Sequence, residues 1–503
     1  MKTELLFTPA LATQTELLTV FAVDNSASKD KDAKPEVALL TSDEAMKKAA
    51  SYVLSTGEFK AEPNETLLLH APEGLAAVRL LIVGLGKTVK ADVHAVRSGA
   101  GTAVRFVKPR GIRSLAILVP EGNFDPAGST RAIAEGAILA DFDSDTYRTD
   151  RKDRSIESVS IVVPATLEKS AAEAGHREGV IIAESQNFAR TLINEPGNRM
   201  TPTILGQRAA EMAAEHGLRC EVHSTEKLRE LKMGAFLAVA QGSDEPPALI
   251  IIRYEPESAR PDTPVMGLVG KGITFDTGGI SIKPSENMDK MKYDMAGGAA
   301  MIGAMRAIAQ LKPAIKVVAV ICAAENMPSG KAVKPGDIVF AKSGKSIEVL
   351  NTDAEGRMVL ADGLHYAREL GATRLINAAT LTGAVAIALG QINAGVFAND
   401  DDAYQHFTDA LKVSGEKFWR LPVEDEYREQ IRSYIADIQN TGLTRYGGAI
   451  NAAMFLKEFV GDTPWLHLDI AGLAWQDAEK PWLAKGPTGV AVRSIVEWVR
   501  SYA

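Results

Sequence analysis

Apolar runs of β type alternate with alanine-rich helical stretches along most of this chain, and this alternation limits its fold more than any other feature. The apolar runs cover residues 17–23, 80–85, 115–119, 159–163, 248–253, 265–269, 315–322 and 374–378. The helical stretches between them include residues 91–106, 130–140 and 205–216. Continuous apolar strands separated by helices are typical of sheets buried on both faces. The sequence therefore predicts an α/β layer fold.

Length and helix-breaking residues predict two domains joined by a helix. The chain has 503 residues, which at about 150 residues per domain excludes a single small domain. An alanine- and glutamate-rich segment over residues 166–194 has the period of a helix and ends at the breaker cluster Asn194–Asn198. We expect an N-terminal α/β domain over residues 1–165, a linker helix over 166–195 and a C-terminal domain over 196–503.

Charge and cysteine content exclude several classes of protein. The formal net charge of -8 gives no global basic field that would attract nucleic acid or an anionic membrane. Cys220 and Cys322 are too few for a disulfide framework and fit a reducing compartment. No segment reaches the about 18 uninterrupted apolar residues of a membrane span, and the N-terminus lacks a secretory pattern. We expect an unprocessed cytoplasmic protein, with a charged surface loop at residues 25–36.

Two glycine-rich segments have some features of phosphate-binding loops without the full pattern. Gly84–Thr88 ends in Gly-Lys-Thr, but the first glycine of the motif would fall at Leu81. In Gly267–Gly272 the lysine is followed by glycine, so that no hydroxyl is available for magnesium. We expect neither segment to bind a nucleotide.

The first informative cluster lies between Gly270 and Ala300, directly after an apolar run. It contains two lysines and two aspartates in a glycine-rich context: Lys271, Asp276, Lys283 and Asp294. The carboxyl ends of buried strands are where α/β proteins place their ligands. For each residue taken alone, a solvated loop charge is the favoured interpretation. A functional interpretation is favoured only when this cluster is combined with a second one.

The second cluster is Asn351–Arg357, between a β-type run and a helical run. In an extended segment residues i and i+2 point to the same side, which predicts that Asp353 and Glu355 direct two carboxylates at one point. Arg357 could join that face or cap the following helix. The alternative for both acids is simple capping of the helix N-terminus.

Together the clusters supply four carboxylates on glycine-flanked segments: Asp276, Asp294, Asp353 and Glu355. If they converge, four negative charges would need cations to neutralise them, and two divalent metals would do so. The eight histidines show no HExxH or HxH spacing. We expect His365 to be packed or exposed and His467 to be buried for structural reasons, so that carboxylates are the main ligands.

At this point the residues match a known family. GKGITFDTGGISIKP, from residue 270, together with NTDAEGRMVLADGL, from residue 351, resembles the leucyl aminopeptidases of the M17 metallopeptidase family, which includes bacterial aminopeptidase A. Four further stretches agree: LINEPGNRMTP at 192–202, KYDMAGGAA at 292–300, NAATLTGA at 377–384 and WLHLDIAG at 465–472. The resemblance is close from about residue 180 to the end, and the N-terminal third matches in general layout.

The resemblance implies an N-terminal α/β domain of macro-domain type, a linker helix and a larger C-terminal α/β domain with a central mostly parallel or mixed sheet. It also implies a homohexamer whose active sites face an inner cavity. By position it assigns Lys271, Asp276, Asp294 and Glu355 to one metal site and Asp276, Asp353 and Glu355 to the other. Asp276 and Glu355 would then bridge two divalent ions, Mn²⁺ or Zn²⁺, and Lys271 would donate as a neutral amine, which adjacent cations favour.

The resemblance also implies a chemistry. Lys283 would polarise the substrate carbonyl, and Arg357 would hold a bicarbonate that acts as general base. A metal would bind the free α-amine of a peptide, so that a metal-activated hydroxide attacks only the first peptide bond. Four residues match the family's side-chain pocket: Met291, Thr380, Leu381 and Gly383. An apolar lining would favour Leu-like or Met-like first residues, although core packing is an equal alternative for Met291.

Two other functions remain as alternatives. Some bacterial members of this family also bind DNA, which here would require a local basic groove built across subunits. The basic residues that could form it are Lys108, Arg110, Arg113, Arg148, Arg151, Lys152 and Arg154, interspersed with Asp150 and Asp153. ADP-ribose binding by the N-terminal domain, by analogy with macro domains, has no phosphate loop to support it, and a fold does not carry ligand specificity.

Overall fold

The computed structural model describes residues 1–26 and 35–503, so most of the surface loop expected at residues 25–36 lies outside the described residues. The chain divides into two compact units. Unit 1 contains Met1–Asn187 and Asp477–Lys485, and unit 2 contains Phe188–Gln476 and Gly486–Ala503.

Unit 1 is built on one sheet. Its described strands are β1 (Lys2–Leu6), β2 (Leu18–Asp24), β3 (Val37–Leu39), β4 (Thr66–His70), β5 (Arg79–Lys87), β6 (Ser114–Leu118) and β7 (Ser158–Val162). They pair in the order β1-β7-β6-β2-β5-β4, with β3 also paired to β2. The pairs from β1 to β5 are parallel, and β4 and β3 are antiparallel to their neighbours.

The helices of unit 1 are α1 (Glu44–Thr56), α2 (Val93–Val107) and α3 (Pro126–Asp141), with short 3-10 turns at Ala10–Ala12, Thr88–Lys90 and Lys108–Arg110. Helix α4 (Lys169–Asn194) begins in unit 1 and ends in unit 2. Asp92 caps α2 by accepting hydrogen bonds from the backbone N–H groups of His94 and Ala95. The glycines of Gly84–Thr88 belong to strand β5.

Unit 2 contains a larger mixed sheet. The remaining described strands are β8 (Arg219–His223), β9 (Ala248–Tyr254), β10 (Val265–Asp276), β11 (Lys316–Asn326), β12 (Ile338–Phe340), β13 (Ser346–Glu348), β14 (Arg374–Ala379), β15 (Ala394–Ala398), β16 (Phe418–Arg420), β17 (Ile438–Gln439), β18 (Trp465–Asp469), β19 (Trp475–Gln476) and β20 (Gly486–Pro487). The large sheet has the order β16-β15-β18-β14-β10-β11-β9-β8. Its centre, β18-β14-β10-β11, is parallel.

The helices of unit 2 cover both apolar faces of this sheet's buried strands. They are α5 (Pro202–Glu215), α6 (Thr225–Glu230), α7 (Gly234–Ala240), α8 (Ala296–Leu311), α9 (Glu355–Glu369), α10 (Gly383–Leu389), α11 (Asp401–Ser414), α12 (Gly448–Lys457) and α13 (Val492–Arg500), with 3-10 turns at Met288–Met295 and Asp425–Ile431. Strands β12, β13 and β17 form a separate small sheet, and β19 pairs with β20. The predicted α/β architecture with a mixed central sheet is confirmed.

Two local predictions are wrong. The glycine-rich stretch from Gly270 to Asp276, predicted to follow the strand over residues 265–269, instead continues strand β10 and pairs with β11 as far as Asn326. Its glycines belong to a buried strand, because helix α8 packs closely there: a Cβ on Gly270 would lie 2.6 Å from the Cα of Gly298. The extended geometry predicted for Asp353 and Glu355 is also wrong, since Glu355 is the first residue of α9.

Among the residues that the structure describes, no helix is both long enough and apolar enough to span a bilayer.

Candidate metal and catalytic site

The candidate residues gather at one edge of the large sheet of unit 2. The four parallel strands at its centre end there, at Asp469 (β18), Ala379 (β14), Asp276 (β10) and Asn326 (β11). Because parallel strands place their carboxyl ends at the same edge, polar residues that are far apart in the sequence become neighbours. The site predicted at a strand end therefore lies where a parallel sheet presents its ligands.

Three carboxylates converge at this edge. One oxygen each of Asp276, Asp353 and Glu355 lies within 4.8 Å of the others, a spacing that could hold a metal ion. Asp276 and Glu355 are buried, and Asp353 is partly buried. Among the described residues, Oε2 of Glu355 is a buried oxygen without a hydrogen-bond partner. The cluster therefore has carboxylate oxygens to offer to a ligand.

Lys271 connects the fourth carboxylate to this cluster. Its Nζ lies 2.8 Å from Oδ1 and Oδ2 of Asp294, 2.7 Å from Oε1 of Glu355 and 3.0 Å from the carbonyl oxygen of Thr380. The lysine is buried in β10 and packs against the first turn of α9. A Cβ at position 356 would lie 2.7 Å from the Lys271 side chain, so Gly356 is required for this close approach.

Lys283 reaches the opposite side of the cluster from the turn after β10. Its Nζ lies 2.8 Å from Oδ2 of Asp276 and also forms an ion pair with Oδ1 of Asp353. Gly278 has a positive φ of 87° and allows the chain to reverse, so that the Lys283 N–H donates to the Thr277 carbonyl at 2.9 Å. Lys283 is therefore held over two of the three converging carboxylates.

The electrostatics of the cluster follow from burial and from the excess of acids. Burial is the largest cause that raises the pKa values of Asp294, Asp353 and Glu355, and the charge of Asp276 adds to it. For Lys271 and Lys283 burial opposes the charged form, but the surrounding carboxylates outweigh it and raise both pKa values. The two ammonium groups therefore compensate part of the negative charge of the acids.

Arg357 lies in the first turn of α9, close behind these carboxylates. Its Nη1 donates a hydrogen bond of 2.8 Å to the carbonyl oxygen of Asn440. Burial lowers its pKa to about 10, against the opposing charges of Glu355 and Asp469. Within the described residues its Nε is buried and has no hydrogen-bond partner. The arginine therefore keeps part of its donor capacity for another group.

The four residues predicted to line a side-chain pocket differ in their surroundings. Met291 is half-buried in the 3-10 turn Met288–Met295. Thr380 is buried, and its Oγ1 donates to Oδ1 of Asp294 at 2.7 Å. The N–H of Leu381 donates to Oδ1 of Asp469 at 3.2 Å. Gly383 begins α10, and a Cβ there would meet no atom of the described residues within 4 Å.

Several residues that support the cluster were not predicted. The Nδ2 of Asn326 donates to Oδ1 of Asp276 at 2.8 Å and to the carbonyl oxygen of Thr352 at 3.0 Å. Asp469 accepts a hydrogen bond of 2.7 Å from Oγ1 of Thr382 and has a pKa raised to about 6, chiefly by burial. Asn326 ends β11, which is next to β10, and Asp469 ends β18, which is next to β14. The signal available in the sequence was that each of these residues ends an apolar run.

The two discussed histidines lie outside the cluster. His467 is fully buried, as predicted, and its Nδ1 lies 2.9 Å from Nδ2 of Asn377. Burial lowers the His467 pKa to about 3. His365 is half-buried on α9, with its Nε2 3.3 Å from Glu369.

The basic residues considered for DNA binding are mostly paired with acids in unit 1. Arg148 contacts Asp150 at 2.7 Å, and Arg113 contacts Asp153 at 2.9 Å. Lys108 also contacts Asp141 and Asp143, Arg151 contacts Asp145, and Arg110 lies over the ring of Phe106. Neighbouring acids therefore compensate much of the positive charge of this segment.

Comparison with known proteins identifies the family of the chain. The catalytic domain of the cytosol aminopeptidase family, M17, matches residues 187–496, and the N-terminal domain of the same family matches residues 19–151. A probable cytosol aminopeptidase of Acidobacterium capsulatum is 62% identical over the whole of both chains. One from Koribacter versatilis is 58% identical over 97% of each chain.

Solved structures give the same result. A mutant of tomato leucine aminopeptidase has a TM-score of 0.87 and 33% identity, with 99% of this chain and 96% of that chain covered. The bottromycin maturation enzyme BotP in complex with Mn has a TM-score of 0.82 and 34% identity, over 97% of this chain and 99% of that chain. The chain therefore belongs to the M17 cytosol aminopeptidase family, metallopeptidases that hydrolyse peptides to release N-terminal amino acids.

Proposed function

We propose that this protein is a two-metal exopeptidase that releases Leu-like or Met-like residues from peptides with a free N-terminus. The observation that carries the proposal is the convergence of Asp276, Asp353 and Glu355 within 4.8 Å, with Lys271 linking Asp294 to the same cluster. This arrangement offers two adjacent sets of ligands rather than one.

The donor set fits divalent cations. Four carboxylates face two ammonium groups, which leaves an excess of two negative charges when all six groups are ionised. Burial makes such an excess costly unless a cation compensates it. The unpartnered Oε2 of Glu355 gives one carboxylate oxygen that still needs a partner. Oxygen donors with one amine suit Mn²⁺ or Zn²⁺, and geometry and availability would decide between them.

The proposed ligands divide into two sites that share residues. Lys271, Asp276, Asp294 and Glu355 would hold one metal, and Asp276, Asp353 and Glu355 would hold the other. Lys271 would have to lose its proton to bind, because only a neutral amine can donate to a metal. When bound, the two ions would supply Lewis acidity that polarises the substrate carbonyl and makes a water nucleophilic near neutral pH.

Lys283 and Arg357 are the proposed catalytic residues. The Lys283 ammonium group, 2.8 Å from Asp276, is placed to meet negative charge that develops on the carbonyl oxygen during hydrolysis. Arg357 keeps a free Nε–H, which would bind a small oxyanion such as bicarbonate and hold it as a general base. A bound α-amine of the substrate would restrict cleavage to the first peptide bond.

The proposed side-chain pocket is formed by Met291, Thr380, Leu381 and Gly383. The open space beside Gly383 supports this assignment, and the apolar Met291 and Leu381 favour apolar first residues. Thr380 would contribute mainly its backbone, because its hydroxyl is already engaged by Asp294. Hydrolysis of Leu, Met, Asp and Lys amides under the same conditions tests this preference.

We further propose that the chain acts as a homohexamer in the cytoplasm. Unit 2 exposes large apolar side chains that a partner subunit would cover: Ile387, Ile392, Trp419, Tyr434 and Tyr446. The names of the relatives give the cytosol as their place. Sedimentation velocity distinguishes a hexamer from a monomer. Because acids compensate the basic residues of unit 1, peptide hydrolysis explains the structure better than DNA binding does.

The proposed activity is tested by comparing Leu-Gly-Gly with its N-acetylated form. Protein stripped with a chelator is assayed before and after the addition of Mn²⁺ or Zn²⁺, and circular dichroism checks the fold. We expect metal-dependent cleavage of the free peptide alone. Cleavage of neither peptide by folded, metal-loaded protein would contradict the proposal, and equal cleavage of both would contradict the role of the free amine.

A further inference from the structure

The proposed catalytic arginine is oriented by a segment that follows it by 83 residues. Nη1 of Arg357 donates to the carbonyl oxygen of Asn440 at 2.8 Å. Within the described residues this carbonyl is the one hydrogen-bond acceptor of the guanidinium group, whose Nε is buried and unpartnered. The direction of the guanidinium group therefore depends on where the backbone of residue 440 lies.

The side chain of Asn440 fixes that backbone to the loop ahead of α9. Its Oδ1 accepts hydrogen bonds from the N–H groups of Leu350 at 2.9 Å and Asn351 at 3.3 Å. Its Nδ2 donates to the Asn351 carbonyl at 2.7 Å, and its own N–H donates to the Glu348 carbonyl at 2.9 Å. Asn440 is fully buried, so these contacts are shielded from competing water.

The loop fastened in this way carries Asp353 and leads directly into Glu355. We propose that Asn440 is a positioning residue, whose side chain and carbonyl together set the guanidinium group of Arg357 relative to these two carboxylates. The proposal rests on the catalytic role assigned to Arg357 under the proposed function. It extends that role to a residue that contacts neither of the two carboxylates and lies outside every motif described above.

A purely structural role for Asn440 makes a different prediction. Asn440 follows β17, which pairs with β13, so its loss could lower stability without affecting the arginine. In that case any loss of activity would be independent of Arg357. A positioning role requires that the loss of activity depends on the presence of the Arg357 side chain, and a double-mutant cycle measures this dependence.

The first variant is Asn440→Asp. It keeps the shape of the side chain and the acceptor for Leu350, but it places an oxygen opposite the Asn351 carbonyl where Nδ2 donates now. In metal-loaded enzyme we expect kcat for Leu-Gly-Gly to fall about 10- to 100-fold, the scale of an ångström-sized misplacement, while KM stays within about threefold. Mn²⁺ affinity, measured by calorimetry, should stay close to that of the wild type because no proposed ligand is removed.

The decisive comparison repeats the substitution in an Arg357→Ala background. There we expect Asn440→Asp to reduce kcat less than about threefold, because the group that it positions is absent. The same fold-loss in both backgrounds, or a wild-type kcat for the single variant, would overturn the positioning role. A wild-type kcat for Arg357→Ala alone would instead overturn the catalytic role of the arginine, so the two failures are distinguishable.

Asn399→Asp is the matched control. Oδ1 of Asn399 accepts from the Trp465 N–H at 2.7 Å, and its Nδ2 donates to the Thr463 carbonyl at 3.0 Å, so it also joins two backbone segments of unit 2. We expect a lower melting temperature with kcat unchanged. If Asn440→Asp does not fold, Asn440→Ser is measured in the same double-mutant cycle with Arg357→Ala, and the same outcomes support or overturn the proposal.

Discussion

The two units bury carboxylates in contrasting ways. In unit 1, Glu135 on α3 is fully buried and lies 2.6 Å from Nε of Arg97 and 2.7 Å from Nε of Arg131. In unit 2, four carboxylates share two lysines, and Oε2 of Glu355 lacks a hydrogen-bond partner in the described residues. The first arrangement pairs its acid completely, whereas the second leaves acid in excess.

The comparison distinguishes a buried carboxylate that stabilises the fold from buried carboxylates that are available to bind a cation. A completely paired acid needs nothing further, and removing it leaves its partners uncompensated. Buried carboxyl groups in excess are tolerated where they take up protons or where a cation binds. In unit 2, burial raises the pKa values of Asp294, Asp353 and Glu355, which favours their protonated forms. The following predictions test this distinction.

The largest effect is expected for Glu355→Ala and Asp353→Ala. Each removes a proposed metal ligand, and activity with Leu-Gly-Gly should fall at least about 1,000-fold, since a bound metal supplies several kcal/mol of transition-state stabilisation. Metal content and circular dichroism are measured alongside, and the fold should persist. Near-normal activity in either variant would contradict the site assignment.

Removing the paired acid of unit 1 should affect stability instead. Glu135→Gln removes the carboxylate that Arg97 and Arg131 share, while Arg131 keeps its contact of 3.5 Å with Glu178. This change should lower the free energy of unfolding by about 3–5 kcal/mol. Urea unfolding followed by fluorescence measures this loss. Activity of the folded fraction should be unchanged, and a large fall in kcat without a loss of stability would remove the distinction between the two units.

Lys283→Met tests charge that acts on the substrate. We expect kcat to fall about 100- to 1,000-fold, as is typical when one donor to a developing oxyanion is lost, with a much smaller change in KM. Lys334→Met is the control, because Lys334 is an exposed lysine that pairs only locally, with Asp337 at 3.1 Å. An equal effect of both substitutions would exclude the specific role of Lys283.

The smallest effect concerns a buried acid outside the cluster. Asp362 on α9 accepts hydrogen bonds from the N–H groups of Phe236 and Lys342, and burial raises its pKa to about 7. Between about pH 4 and 7 the Asp362 carboxyl group therefore stays protonated in the folded protein but is ionised in the unfolded protein. The contribution of this proton to the stability of the folded state is fully present below about pH 4 and is lost as the pH rises through about 7.

Asp362→Asn mimics the protonated form and should remove this component. The melting temperatures of wild type and variant are compared from pH 4 to 8. The stability of the variant relative to the wild type should increase as the pH rises across this window. A difference that does not change with pH would show that Asp362 does not titrate there.

Much of the fold could be predicted from the sequence because burial leaves a periodic pattern. Apolar runs and helical stretches predicted most central elements within a few residues, including α4 and β11. The pattern failed where an apolar run reached a glycine: the strand predicted over residues 265–269 continues through Gly270 to Asp276. Glycine there serves close helix–sheet packing, which a local pattern does not distinguish from a turn.

The candidate site was predicted in its residue types more accurately than in its geometry. Asp353 and Glu355 were expected to meet along an extended strand, yet they meet because a turn leads into α9. Asn326 and Asn440 were not predicted, since each is a single buried amide at the end of a strand or directly after one. Only the sheet order brings Asn326 to Asp276, and only the pairing of β17 with β13 brings Asn440 to Arg357.

By itself the sequence determined the α/β class, the resemblance to a metallopeptidase family and the side chains that could carry its chemistry. These three properties depend on residue types and on short spacings, both of which can be read directly from the sequence. The tertiary structure decided which acids lie together, which of them Lys271 and Lys283 contact and what holds Arg357. Those properties depend on distances between residues far apart in the chain, and such distances exist only once four parallel strands end at one edge.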